Sequence, residues 1–277
     1  MSTWFITGAS RGIGRELTEQ ILARGDRVAA TLRRPEQLDH LKEEFGDRLW
    51  TRRLDVTDTA EIERVVGEAF ADHDRIDVVV SNAGYGAFGT AEDLSDEQVE
   101  AMIATNLTGS IQIARRAVPH LRAQGGGVLV QLSSMGGHIT FPGFAIYHAT
   151  KWGIEGYFET LAQEVAPFGI RTVLVEPGMV RTSFYDAAQR VPLSEPYRGG
   201  AADFPEIPVD EMPGSQSGVA HAIVEAALSD EPPLRLLLNS DAYEAVTTTL
   251  RERLDELEAQ RASAYAADAE YAPAAEL

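Results

Sequence analysis

The sequence predicts a doubly wound α/β domain, a three-layer α/β/α sandwich around a seven-stranded parallel sheet. Three observations predict it. Short apolar runs of strand length alternate with longer amphipathic patterns along the chain, and parallel strands need crossover helices of this kind. The first run leads directly into a glycine-rich loop and a helical pattern, Gly8-Ala9-Ser10-Arg11-Gly12-Ile13-Gly14. At 277 residues and 44% hydrophobic content, the chain has material for a sizeable core.

The totals exclude several classes. The chain has no cysteine, so no disulfide framework, thiol nucleophile or cysteine metal site is expected. The first residues lack a basic region followed by a long apolar run, and no stretch approaches the roughly 20 apolar residues of a membrane span. The expectation is a soluble cytoplasmic protein without a bound metal. A formal net charge of -19 argues against nucleic acid as a partner.

Taken in order, Ser2 to Thr7 reads as a strand, followed by a helix with Ile13, Leu17, Ile21 and Leu22 on one face and Gly25 closing it. Glycines would let the loop between them approach a pyrophosphate, and the helix start offers free N–H groups. The spacing G-x-x-x-G-x-G is neither the common dinucleotide fingerprint nor a P-loop, and a tight strand–helix turn would also need glycine. A second strand, Arg27 to Leu32, ends at Arg33 with no acidic residue. An acid there would hold a ribose 2′-hydroxyl. Arg33 and Arg11 could instead clamp a 2′-phosphate, which favours NADP(H) over NAD(H), unless they are solvated surface arginines.

Strands at Leu49 to Leu54 and Asp77 to Ser81 run into Asp55-Val56 and Asn82-Ala83-Gly84, with a helix from about Asp58 to Ala71 between them. Asp55 could accept from an adenine amino group or serve as a turn aspartate, and Asn82-Ala83-Gly84 also reads as a structural turn. A long helix is expected from about Asp96 to Ala123, with a possible break at Pro119. Within it Asn106 falls in an apolar sector with Met102, Ile103, Leu107 and Ile111, as a structural anchor or a holder of water. A strand from Val128 to Leu132 leads to Ser133-Ser134, where ligands of open parallel sheets sit.

Tyr147 and Lys151 lie four residues apart, one turn along the same face of a helix reaching about Ala166. A lysine beside a phenol stabilises the phenolate and moves it toward proton-transfer range. Such a pair also occurs by chance on many helices. A strand from Ile170 to Val175 is followed by Pro177-Gly178. Residues 183–217 then lose pattern, with five prolines (Pro192, Pro196, Pro205, Pro208 and Pro213), and are expected to form a lid over a substrate. A helix near 218–228, a strand at Leu234 to Leu238 and a charged helix at 241–262 complete the chain. The last helix presents Val246, Leu250, Leu254 and Leu257 for docking on the domain or a partner subunit. No linker or repeat interrupts this single domain of residues 1–262, and the acidic tail at 263–277 is expected to fray.

Together these motifs resemble the classical short-chain dehydrogenase/reductase family, whose fold is of Rossmann type. The resemblance spans roughly residues 3–240. It rests on Thr7-Gly8-Ala9-Ser10-Arg11-Gly12-Ile13-Gly14, Asp55-Val56, Asn82-Ala83-Gly84, Asn106, Ser134, Tyr147-x-x-x-Lys151 and Pro177-Gly178, in that order. It implies an NADP(H)-dependent carbonyl reductase or alcohol dehydrogenase. By that resemblance Tyr147 exchanges a proton with the substrate oxygen, and Ser134, thirteen residues earlier, hydrogen-bonds it. Lys151 would lower the phenol's pKa and hold the nicotinamide ribose, Asn106 would hold a relay water, and Val180 and Thr182 would meet the carboxamide. A homodimer or homotetramer is implied, paired through the long helices from Asp96 and Tyr147. Ser81 and Glu176 stand where many members carry asparagine. The second strand resembles the 17β-hydroxysteroid and retinol dehydrogenase branch locally, without implying that substrate. His138, Phe141 and Phe144 are further candidates for the pocket wall. Two alternatives on related folds are a silent dinucleotide sensor, expected to lose the Tyr-Lys-Ser set, and a sugar-nucleotide epimerase, expected to carry a different glycine spacing and a larger C-terminal domain.

Overall fold

A computed structural model describes residues 1–185, 188–203 and 207–268. Seven parallel strands form the central sheet: β1 (Thr3–Thr7), β2 (Arg27–Leu32), β3 (Leu49–Arg53), β4 (Val78–Ser81), β5 (Gly127–Leu132), β6 (Ile170–Pro177) and β7 (Arg235–Leu238). Their order across the sheet is β3-β2-β1-β4-β5-β6-β7. The direction of winding reverses between β1 and β4, which opens a crevice at their carboxyl ends.

Side chains along each strand alternate between two cores. Trp4, Ile6, Val28, Ala30, Val78, Val80, Val128 and Val130 face one layer, where α1 (Gly12–Ala23), α2 (Asp39–Phe45) and α7 (Gln216–Leu228) pack. Phe5, Ala29, Val79, Leu129 and Leu174 face the other, against α3 (Thr59–Asp72), α5 (Ser110–Ala123) and α6 (Ala145–Val165). Full burial of one such aliphatic or aromatic side chain contributes about 1.5–3 kcal/mol. The expected seven-stranded, doubly wound sandwich is the observed fold.

Three details differ from expectation. The single helix from Asp96 is divided into α4 (Asp96–Met102), a π-helical turn over Ile103–Gly109, and α5. The irregularity falls at Asn106 rather than at Pro119, which α5 carries in its interior. Of the apolar sector assigned to this helix, Met102 is buried while Ile103 is exposed. Second, α2 fills a segment with no predicted element. Third, α8 (Ser240–Ala259) docks Ala242 and Val246 but leaves Leu250, Leu254 and Leu257 exposed. The short helix α9 (Arg261–Ala266) follows, and the rest of the expected tail from residue 269 lies outside the described residues.

Within the expected lid, Gln189–Arg190 pairs with Ala87–Phe88, and Gly214–Ser215 pairs with Val180–Arg181. Both pairings tie the segment to the carboxyl edge of the sheet. Residues 186–187 and 204–206 of that segment lie outside the described residues.

Candidate active site

The glycine loop is shaped by a clasp of hydrogen bonds. Thr7 Oγ1, at the end of β1, accepts from the backbone N–H groups of Asn82 (3.0 Å) and Ala83 (3.1 Å). The Asn82 amide donates in return to the carbonyls of Thr7 (2.9 Å) and Gly8 (3.1 Å). Gly8 has φ +71°, and a Cβ there would come within 2.9 Å of Ala83 Cα, so the two crossing turns touch only because this residue has no side chain. Gly14 packs behind, against the same Asn82 side chain. Asn82 thus shapes the loop as well as lining the cleft.

A cleft of about 950 Å³ runs along the carboxyl ends of the strands. Gly8, Ser10, Arg11, Gly12 and Ile13 line one end with Arg33, Asp55 and Val56; Ala83 and Gly84 follow; Ser134, Tyr147 and Lys151 stand at the other end with Pro177, Gly178, Val180 and Thr182. Of the candidate site residues named from sequence, Gly14, Asn106 and His138 are not in the lining.

Asn106 is buried, and its side chain clasps the backbone of one residue: Nδ2 donates to the Tyr85 carbonyl at 2.9 Å and Oδ1 accepts from the Tyr85 N–H at 3.1 Å. Its own carbonyl accepts from Ser110 Oγ at 2.9 Å. Asn106 lies within the π-helical turn. Such turns are frequent at functional sites.

Arg11, Arg33 and Arg34 are exposed at the mouth of the cleft's glycine end, and no hydrogen bond or ion pair engages their side chains among the described residues. Arg34 was not anticipated, although its place beside Arg33 made it available. Asp55 Oδ1 accepts from the Thr57 N–H (3.0 Å) and hydroxyl (2.7 Å). The Thr57 backbone bond is the main reason its carboxyl is held below the usual range, with Arg33 adding to it. The turn reading of Asp55 is therefore structural fact, and the carboxylate still faces the cleft.

At the far end, Ser134 Oγ accepts from the Gly136 N–H at 3.0 Å, and its hydroxyl stands beside the Tyr147 phenol. Burial pushes the Tyr147 phenol up to about 12, and its hydrogen bond with Ser134 pulls the other way. Lys151 is 7% exposed, and its Nζ donates to the Leu132 carbonyl at 3.0 Å. Burial lowers it to about 8, opposed by Glu155. Lys151 is one of two lysines in the chain; the other, Lys42, is exposed on α2. Burial between Gly136 and Phe141 lowers His148 below its usual range, its Nδ1 2.9 Å from the Gly136 carbonyl and its Nε2 accepting from the Phe141 N–H at 2.9 Å.

Aromatic rings surround the phenol. Phe184 lies 5.9 Å and Phe88 6.4 Å from the Tyr147 ring, and Phe144 lies 4.3 Å from Phe88. Phe141 and Tyr185 also line the cleft. Burial raises Tyr185 above its usual value, and the neighbouring Tyr147 and Asp241 add to the rise. Asp241, at the start of α8, accepts the Met179 N–H at 2.7 Å, while its other oxygen is buried at the cleft wall without a hydrogen-bond partner among the described residues. Phe88, Phe184, Tyr185 and Asp241 were missed from sequence. His138, expected at the pocket wall, is not in the lining; its ring turns to Glu176, 3.0 Å away.

The family model described as short chain dehydrogenase matches residues 2–191. The oxidoreductase BOA17 of Botryotinia fuckeliana is 40% identical over 247 residues, 87% of this chain and 90% of that protein. A short-chain dehydrogenase from Streptomyces avermitilis superposes with a TM-score of 0.90 at 35% identity, over 96% of this chain and 99% of that one. The alcohol dehydrogenase of the archaeon Thermococcus sibiricus, complexed with 5-hydroxy-NADP, gives 0.72 at 28% identity over 87% and 97%. Sheet order, glycine loop and cleft thus accompany a sequence match over most of the chain, which belongs to the classical short-chain dehydrogenase/reductase family of oxidoreductases.

Proposed function

We propose that the protein is an NADP(H)-dependent oxidoreductase acting on a C=O or CH–OH group, with Tyr147 as the acid–base residue. The observation that carries this reading is convergence. Ser134, Tyr147 and Lys151 meet at one end of a cleft whose other end holds a glycine cradle and unpaired arginines. The fit for the dinucleotide rests on the close approach at Gly8 and on Arg11, Arg33 and Arg34, whose guanidinium groups suit a 2′-phosphate. Val180 and Thr182 would hold the carboxamide. NADPH, when bound, supplies the hydride.

The chain's own residues would supply position and the proton. Ser134 would donate a hydrogen bond to the substrate oxygen, and Tyr147 would pass its proton to that oxygen in reduction or take one in oxidation. Lys151 would favour the phenolate by charge, and the Phe88, Phe144 and Phe184 rings would exclude water from the exchange. The aromatic wall favours an apolar or ring-bearing carbonyl compound. A silent dinucleotide sensor would have no use for all three polar groups at this end.

The test is an NADPH-oxidation screen over ketones, quinones, steroids and polyketide-like carbonyl compounds, with NADH in parallel. Turnover of at least one class with NADPH preferred is expected; no turnover of any class, with the dinucleotide bound, would overturn the catalytic reading. The exposed Leu250, Leu254 and Leu257 of α8 further support a homo-oligomer. Light scattering behind a sizing column would show a dimer or tetramer, and a monomer would refute it. Among the described residues no helix is long and apolar enough to cross a membrane.

A further inference from the structure

Behind Lys151, away from the cleft, lies a buried group of charges that the proposed reaction does not use. Glu155 follows Lys151 by one turn on α6 and is 6% exposed. Arg235, from β7, places Nε 3.3 Å from Glu155 Oε2 and 3.3 Å from Glu176 Oε1, and Nη2 2.8 Å from Glu159 Oε2. His138 Nε2 lies 3.0 Å from the same Glu176 oxygen. The loop after β5 is pressed onto Glu155: a Cβ on Gly137 would stand 2.7 Å from Glu155 Cγ and 3.2 Å from Ser133 Oγ.

Neither Glu155 oxygen is in a well-formed hydrogen bond, although the Ser133 hydroxyl lies beside the carboxyl and favours its charged form. Two buried carboxylates side by side in a low dielectric favour a proton on Glu155, while Ser133, His138 and Arg235 oppose it. Burial accordingly raises Glu155, and pairing with Glu176 raises His138. The donor atoms of His138, Glu155 and Glu176 lie within 4.8 Å of one another, as a cation site would require. Arg235 Nε already occupies the space between the carboxylates, so the group is complete as an ion cluster.

On the opposite side, Glu155 and Lys151 stand one turn apart on the same face of α6, both buried, so the carboxylate and the ammonium share one low-dielectric region, and the charge of Glu155 favours the protonated lysine. The Leu132 carbonyl that holds Lys151 Nζ belongs to the residue before Ser133, so both partners of the lysine are fixed by the same loop. We propose that Glu155 is a positioning residue for Lys151, a buried counter-charge that keeps the lysine an ammonium and is itself set by His138, Glu176 and Arg235. This rests on the reading of Lys151 as part of the active site. The groups that decide the charge of Glu155 are Lys151 and Glu159 on its own helix, His138 and Ser133 on the loop, Glu176 on β6 and Arg235 on β7.

The chain's two lysines make the test direct. With lysine labelled with ¹³C at Cε, NMR gives two side-chain signals, and Lys151→Arg assigns them. In the wild type, Lys151 should titrate near 8 and show a second, smaller inflection at lower pH where Glu155 takes up its proton. Glu155→Gln should lower the Lys151 midpoint by on the order of one pH unit and abolish that inflection, and Glu155→Asp should restore most of the midpoint. A merely structural Glu155 would lower the melting temperature and leave the titration unmoved, and that result overturns the proposal. If Glu155→Gln does not fold, the wild-type curve decides: a single inflection refutes the coupling. The readout needs no turnover, so an inactive protein with a coupled Lys151 would sink the proposed reaction and leave this inference standing.

Discussion

Lys151 Nζ lies 5.6 Å from the centre of the Tyr147 ring, yet the group it bonds is the carbonyl of Leu132. In the proposed reaction the ammonium would therefore act on the phenol by charge, from a point fixed by β5. Its folded value of about 8 is below its ordinary 10.5, so the protonated form costs stability at neutral pH, and that cost is relieved as pH rises from 8 toward 10.5. Activity should move the opposite way. Carbonyl reduction, followed as kcat/KM across pH 6–10, is expected to fall above about pH 8 as Lys151 loses its proton. A profile flat to pH 10 would separate the lysine from the reaction.

Replacing Tyr147 by Phe removes the hydroxyl and keeps the ring that packs on Phe184 at 5.9 Å. The fold and the dinucleotide end of the cleft should be unaffected. The expected loss in kcat/KM is about 10²–10⁴-fold, the usual contribution of a positioned proton donor. NADPH binding, measured by fluorescence titration, should stay within about twofold of wild type, since one phenol hydroxyl contributes little to a ligand held at many points. A variant that retains most of its activity would mean that another group supplies the proton.

Arg33 follows β2 at the glycine end of the cleft, its guanidinium exposed and unpaired among the described residues. Arg33→Ala should weaken NADPH roughly tenfold or more while changing NADH little, because only the former carries the phosphate that the guanidinium bonds. The difference should shrink with added salt. Equal losses on the two cofactors would place Arg33 outside the phosphate site, with Arg34→Ala the next variant to compare.

Much of this was legible in sequence, for physical reasons that also mark the limits. Strands such as Val128–Leu132 feed alternate side chains to two cores, so composition and spacing identify them. Gly8 is visible because only glycine tolerates the turn against Ala83. The α2 segment is charged, with Leu41 buried in the core and Phe45 half-buried against it, which gives too little periodicity to read. The π-helical turn shifts hydrogen bonds by one residue without breaking the apolar spacing. The destinations of His138, Tyr185 and Asp241 depend on contacts between distant parts of the chain; Asp241 meets Met179 across 62 residues. Local pattern does not encode such pairings.

The Asn82 clasp allows a test in which the sign of the effect is fixed in advance. Its amide donates to the carbonyls of Thr7 and Gly8 at 2.9 and 3.1 Å and thereby sets the distance between the two turns. Asn82→Ala leaves both carbonyls without that donor and should cost about 1–2 kcal/mol for a partly buried pair, seen as a loss of several degrees in melting temperature. Dinucleotide affinity should fall with it, since the loop backbone is then held less firmly. Asn82→Asp has almost the same shape but turns an oxygen toward each carbonyl, so it should be less stable than Asn82→Ala at pH 7. The new carboxyl would have its folded pKa raised above the ordinary value of about 3.9 by those oxygens and by partial burial. Its destabilisation is therefore present above that pKa and shrinks as pH falls toward 4, where the protonated acid can donate again. Melting curves of the three proteins at pH 7 and pH 4.5 check this, and an aspartate variant at least as stable as the alanine variant at pH 7 would show that the amide is not the donor that holds the loop.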